Sequence, residues 1–246
     1  MDHLIYTAMS GAGAAANRQA ILASNLANVS TNGFRAQLET YRAVPLNGDG
    51  ASTRVFAMEA TAGFLDLPGQ AQQTGRALDA MTTDKSWFAV QGLDGNEAYT
   101  RNGSFEVATD GTLITATGRT ILGSGGSPIT VPAGGDVTLS NDGSLNVKVG
   151  NQPIRSLGKL KQVTPNAEDP LKRGDDGLFR SYSGNPLDHD AAARLHVGVL
   201  EGSNVNAIET MVGMIQTGRQ FEAQTKLMTT AESNDRSAAQ LLSMQG

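Results

Sequence analysis

Gly11-Ala12-Gly13-Ala14-Ala15-Ala16 has the Gly-x-Gly-x-x-Ala spacing that, after a strand and at the start of a helix, brings backbone N–H groups against a pyrophosphate. That chemistry also needs an acidic residue about twenty positions further on to hold a ribose. The stretch from Ser24 to Leu38 contains neither Asp nor Glu, and no strand pattern precedes the glycines. Ser156-Leu157-Gly158-Lys159 has the spacing of a serine nucleophile and a lysine base but lacks the Ser-Asp-Asn and Lys-Thr-Gly partners of such sites. An exposed lysine on an alternating strand explains it more simply. His3, His189 and His196 are scattered and form no His-Glu-x-x-His pair, so they do not read as zinc ligands. Asp175-Asp176 is a carboxylate pair of the kind used in glycan hydrolysis, yet it lies at a turn with no second polar catalytic group beside it. The remaining Asp-Gly pairs lack the regular oxygen-ligand spacing of a calcium loop. These residues imply no enzyme, no bound metal and no cofactor.

Composition narrows the classes further. The 246 residues include no Cys, which removes disulfides, thiol nucleophiles and cysteine-held metal centres together. Net charge is −5, from 24 acidic and 19 basic residues, and this disfavours sequence-independent binding of nucleic acid. No apolar run approaches the roughly 20 residues that span a bilayer, so membrane insertion is not expected. The opening Met1-Asp2-His3-Leu4-Ile5-Tyr6 lacks the basic and apolar regions of a cleavable signal, so departure from the cytosol is expected to use another route.

The elements that would carry a function lie at the two ends. Ile5, Ala8, Ala12, Ala15, Gln19, Leu22, Leu26 and Val29 recur in steps of three and four, predicting one helix from residue 2 to about 29. Such a helix is about 42 Å long. Its small residues admit a close helical neighbour, and Ser30-Thr31-Asn32-Gly33 ends it. At the other end, Ser203 or Asn204 can cap a helix running to about Ser243. Val205, Ile208, Val212 and Ile215 form its seam, continued by Phe221. Gly213 and Gly218 weaken that helix and permit close contact or a bend.

The middle reads differently. Residues 75–200 carry strand candidates at 87–91, 103–107 and 195–200, separated by Asp94-Gly95, Asn102-Gly103, Asp110-Gly111, Asp142-Gly143 and Asp176-Gly177 turns. Asp110-Gly111, Leu113 and Gly118 are echoed by Asp142-Gly143, Leu145 and Gly150, predicting two similar hairpins in one sheet. Residues 36–74, with Pro45, Gly48, Gly50, Gly63, Pro68 and Gly69, predict an extended connector with short strands. The fold class is therefore α+β: a central all-β domain flanked by N- and C-terminal helices that pair as a coiled coil. The expected divisions are 1–35, 36–74, 75–200 and 201–246. Helices of this kind must cover their apolar stripes against each other or against neighbouring subunits. A head-to-tail contact that does not close gives a filament. An intramolecular helical hairpin on a monomeric β domain would produce the same periodicity.

The stretch from Ser24 to Arg35, Ser-Asn-Leu-Ala-Asn-Val-Ser-Thr-Asn-Gly-Phe-Arg, resembles the N-terminal signature of bacterial flagellar rod and hook proteins. Leu200-Glu201-Gly202-Ser203-Asn204-Val205-Asn206 is similar to that family's entry into its last helix. So are Met214-Ile215, Arg219, Phe221-Glu222 and Lys226 that follow it. Residues 87–91 and 99–105 resemble the family's body domain. The opening residues 1–9, with Tyr41-Arg42-Ala43-Val44-Pro45 and residues 173–180, resemble its proximal-rod members; the distal-rod members are the alternative. A soluble export or chaperone-like module sharing the terminal helices is the alternative outside the family.

The resemblance implies a structural subunit of the hollow rod that carries torque from motor to hook and is required for flagellum assembly and motility. It implies export without a cleaved signal through the flagellar type III apparatus, and a location in the basal body where the rod crosses the periplasm. Its implied partners are copies of itself, the smaller proximal rod subunits and the distal rod protein, with no small-molecule substrate. Ile5, Ala8, Ala12, Ala15, Leu22, Leu26, Val29, Val205, Ile208, Val212, Ile215 and Phe221 are the expected assembly interface. Asn25, Asn28, Asn204 and Asn206 would either bond across subunits or cap helix ends. Gly33 would turn the chain and Phe34 anchor it by burial.

Overall fold

The computed structural model describes residues 4–45 and 55–243. Met1 to His3, and Gly48 and Gly50 of the expected connector, lie outside the described residues. In chain order the elements are α1 (Leu4–Ala27), β1 (Gln37–Pro45), β2 (Val55–Phe64), β3 (Ala71–Gln73), β4 (Ala80–Thr82), β5 (Trp87–Gln91), β6 (Glu97–Thr100), β7 (Phe105–Val107) and β8 (Leu113–Thr115). There follow β9 (Gly135–Leu139), β10 (Ser144–Val149), β11 (Arg155–Lys159), β12 (Gln162–Val163), β13 (Leu171–Arg173), β14 (Phe179–Ser181), β15 (Leu195–Val197), β16 (Val199–Glu201) and α2 (Ala207–Ser243). Two helices thus flank a mainly β region, an α+β arrangement. The chain divides into two compact units. One takes in α1, the β1–β2 hairpin and α2; the other, called the body below, takes in residues 30–35 and 66–204.

In the helical unit, the stretch expected as a connector forms long paired strands, with Gln37 opposite Phe64 and Pro45 opposite Val55. The hairpin is tied to α1 at three levels. Ser10 Oγ donates to the Ala57 carbonyl at 3.0 Å and the Tyr41 hydroxyl to the Ala14 carbonyl at 3.1 Å. Asn25 completes the set by bonding both backbone groups of Gln37, at 2.8 and 3.0 Å. A lone hairpin is marginal in water, and packing on a helix is what stabilises it.

The body contains a five-stranded antiparallel sheet in the order β12-β5-β6-β14-β13, a three-stranded sheet β11-β10-β9, and three two-stranded pairs. Phe88, Val90, Ala98, Phe105, Leu113, Ile121, Leu145, Leu160 and Leu195 make a continuous apolar core. Phe88 and Phe105 meet edge to face within it, with ring centroids 5.0 Å apart. The strand at 87–91 forms as expected and buries both faces: Phe88 and Val90 enter the core, while Trp87 and Ala89 are buried outside that cluster.

Two strand expectations need correction. The 103–107 strand begins only at Phe105. The 195–200 strand is broken at Gly198, whose φ of +76° interrupts the pleat. Its halves pair with different partners, β15 with β4 and β16 with β3.

The echoed turns are alike in chemistry but lie in different sheets, β7 with β8 and β9 with β10. In each the Asp carboxylate accepts the amide two residues on, Thr112 at 2.9 Å and Ser144 at 3.1 Å. In each the glycine takes a positive φ, +86° at Gly111 and +81° at Gly143. The local sequence sets the turn. Which sheet the strands join depends on their flanks: β10 recruits β11 as a third strand, while β7–β8 stays a pair.

The Asp-Gly turns are expected to make the body acid-sensitive. The Ser144 hydroxyl, followed by Lys159, lowers the Asp142 pKa to about 2. Amide and side-chain bonds from Thr112 lower Asp110, and the Arg180 guanidinium lowers Asp176. A carboxylate whose pKa is lower folded than unfolded stabilises the fold fully above the ordinary value of about 4 and loses that contribution as the pH falls toward 2. The midpoint of urea unfolding is therefore expected to fall steadily from pH 5 to pH 2. A flat midpoint across that range would refute this account of the turns.

Candidate assembly interface

The two long helices pack against each other in opposite directions. A Cβ added at Gly11, early in α1, would lie 3.0 Å from the Gln224 side chain, late in α2. One added at Gly213, early in α2, would lie 3.4 Å from the Leu22 methyls, late in α1. On α1 the seam is the expected one: Ala8, Ala12 and Ala15 are buried, and Ile5, Leu22, Leu26 and Val29 are half-buried. On α2 it is not. Thr210, Thr217 and Ala231 are the buried positions, with Gln224 half-buried between them at the same seven-residue spacing. Small and hydroxyl-bearing residues let α2 approach the alanine stripe of α1 closely, and Gly213 adds to that fit. Gly218 faces open space.

The apolar seam of the sequence reading consequently points outward. Ile208 (75% exposed), Val212, Ile215 (58%) and Phe221 are all exposed, and Met211 joins them. Positions 208, 211, 212 and 215 follow the i, i+3, i+4, i+7 pattern of one helix face. A stripe that would ordinarily be buried stands in solvent on the isolated chain. Val205 is half-buried.

The asparagines have definite tasks within the chain. Asn206, not Ser203 or Asn204, caps α2: its Oδ1 accepts the amides of Ile208 at 3.1 Å and Glu209 at 3.3 Å. Asn28 donates to the Ser24 carbonyl at 2.9 Å at the end of α1. Asn204 donates to the Leu67 carbonyl at 2.9 Å, and Asn25 is taken up by Gln37 as described.

Where the chain enters and leaves the body, a buried charged cluster forms that spacing could not reveal. Gly33 donates its amide to the Glu201 carbonyl at 2.7 Å, and Asn204 donates its own to the Phe34 carbonyl at 3.3 Å. Gly33 has φ +70°, and a Cβ there would lie 2.4 Å from the backbone of Arg101 and Asn102, so only glycine fits. Phe34 is buried, with the Arg173 guanidinium 4.5 Å from its ring centroid. The Glu201 carboxylate is fully buried between two arginines, 2.6 Å from Arg35 Nη1 and 3.5 Å from Arg101 Nη1. It also accepts the Gly69 amide at 2.9 Å. Arg101 donates to Thr82 Oγ1 and to the Asp84 carbonyl, each at 2.7 Å. Burial lowers its pKa to about 10 despite the neighbouring carboxylate. Both guanidiniums lie over Trp87, with Arg101 at 5.1 Å and Arg35 at 5.8 Å from the ring centroid.

The motifs first weighed for chemistry have structural positions. Gly11 to Ala16 lie inside α1 rather than after a strand. Lys159 pairs with Asp142 at 3.0 Å, and Asp176 binds Arg180 at 2.8 Å within its turn. His196 lies on β15 opposite Met81, and the Gln162 amide donates to His189 Nδ1 at 3.3 Å. Among the described residues, no three His, Cys, Asp or Glu side chains gather as metal ligands. No described helix is long and apolar enough to cross a membrane.

Three family descriptions match the chain in order. "Flagella basal body rod protein" matches residues 5–35, "Flagellar hook protein FlgE/F/G D1 domain" residues 83–147, and "Flagellar basal body rod FlgEFG protein C-terminal" residues 196–241. The chain is 44% identical to the flagellar basal-body rod protein FlgF of Salmonella typhimurium strain LT2 over 99% of its length and 100% of that protein. The FlgF of Escherichia coli K12 gives the same identity and coverage. The flagellar basal-body rod protein FlgG of Buchnera aphidicola subsp. Schizaphis graminum is 29% identical over 86% of this chain and 89% of that protein.

Proposed function

Because the chain belongs to the bacterial flagellar basal-body rod protein family, we propose that it builds the proximal segment of the rod through its terminal helices. It is a structural subunit of the flagellar basal body, part of a rod assembled with other rod subunits. The proximal assignment is supported by the 44% identity to two FlgF proteins and by coverage, since FlgF relatives align over 98–99% of this chain and FlgG relatives, at 27–31% identity, over 86%.

The observation that carries the mechanism is the exposed stripe Ile208, Met211, Val212 and Ile215 on a helix already packed through its opposite, small-residue face. In the rod, α1 and α2 form the helical layer as coiled coils, on the same unit as the β1–β2 hairpin, while residues 30–35 and 66–204 form the β body. Each subunit's apolar α2 stripe is covered by helices of its neighbours, which include copies of itself, the smaller proximal subunits and the distal rod protein. Burying about 25 cal/mol per Å2 of apolar surface supplies the drive for that contact. The chain reaches the periplasm-crossing rod through the flagellar type III export apparatus without a cleaved signal, and it transmits torque without catalysing a reaction.

Leu26→Asp is expected to block rod assembly and motility while the body stays folded. Complementation of a strain lacking the protein, together with a melting curve of the purified variant, checks both halves. A variant that swims would remove Leu26 from the interface.

A further inference from the structure

We infer that the Arg35–Glu201–Arg101 cluster makes the fold of the body conditional on the two segments that lead to the helices, residues 30–35 and 198–204. The body closes only once both are in place. This inference is independent of the rod assignment.

Three contributions to the cluster come from three distant parts of the chain: Arg35 beside the N-terminal segment, Arg101 between β6 and β7, and Glu201 at the end of β16. The strand pairs around it join first to last, β3 with β16 and β4 with β15. Long loops must therefore close before these contacts form. Charge makes the closure all-or-none. With residues 198–204 absent, Arg101 and Arg35 would be two like charges buried against one indole, offset only by the partly exposed Asp66 carboxylate 3.9 Å from Arg35 Nε, and burying a charge without its buried partner is strongly unfavourable. With residues 30–35 absent, Glu201 loses its 2.6 Å partner and the surface on which Gly33 lies against Arg101 opens. A chain synthesised from its N-terminus consequently keeps an unlocked body until Glu201 has emerged, when nearly all of the sequence exists.

Native-state hydrogen exchange on the full chain tests this. Gly33 donates to Glu201 and Gly202 donates to the Gln70 carbonyl at 2.8 Å, while Ala89, Leu113 and Leu160 donate within the core at 2.9–3.0 Å. If the segments are integral, Gly33 and Gly202 exchange only through the global opening, with protection and urea dependence matching the three core amides to within about tenfold. Protection about a hundredfold or more below the core, insensitive to urea, would show that the segments fray on their own and would overturn the inference. In Glu201→Gln the expected result is an equal loss of protection at Gly33 and at the core amides; a loss confined to residues 30–35, 69–73 and 198–204 would overturn it. If that variant does not fold, the two wild-type results decide.

Discussion

Glu201→Ala is expected to destabilise the body by about 3–5 kcal/mol, the usual cost of removing one partner from a buried charge pair. Domain stabilities are about 5–15 kcal/mol, so this is a large part of the total. The change leaves Arg35 and Arg101 buried without their common carboxylate and takes the acceptor from the Gly69 amide. The readout is built in, since Trp87 is the only tryptophan and both guanidiniums lie over it. Urea unfolding followed by its fluorescence should show the midpoint shift. A triple replacement of Arg35, Arg101 and Glu201 by Met should cost less than the single change, because apolar side chains leave no unpaired charge. A Glu201→Ala loss below about 1 kcal/mol, typical of an exposed pair, would mean the cluster is solvated in solution.

The second large effect falls on assembly rather than on stability. Val212→Glu combined with Ile215→Glu replaces two exposed residues of α2, so the free chain should melt within about 0.5 kcal/mol of wild type, as surface changes usually do. Glutamate is at least as good a helix former as valine or isoleucine. The rod contact is a different matter. Two carboxylates placed in an apolar interface must be desolvated without partners, and assembly should fail outright. Basal-body preparations from a complemented strain would show whether rods form. Normal rods from a chain that melts normally would exclude the outward stripe as a contact surface.

Local chemistry was readable from the sequence wherever one turn or one helix face determined it. The alanine stripe at positions 8, 12 and 15, the strand at 87–91 and the Asp-Gly turns all form as their spacing dictates. On α2 the spacing shows an apolar stripe but not which partner covers it, and within the chain α1 does not. The alanines of α1 demand a small-residue face, so Thr210 and Thr217 turn inward and Ile208 and Ile215 outward. The Arg35–Glu201–Arg101 cluster, a clamp between the chain's entry and exit segments, was illegible for another reason. Arg35 and Glu201 are ordinary surface residue types, far apart in sequence, and only the pairing of the body's first and last strands brings them together. A partial sign was present: Glu201 lies between Leu200 and Gly202 at the end of a largely apolar stretch.

The same clamp decides how the body carries mechanical load. Tension entering at residue 30 and leaving at residue 204 meets, within a few residues, the Gly33–Glu201 and Phe34–Asn204 backbone bonds and the Arg35–Glu201 ion pair. These links bridge the incoming and outgoing chain directly, so the force takes that short path and bypasses the sheets between. The strands of the body are held out of the line of pull between residues 30 and 204.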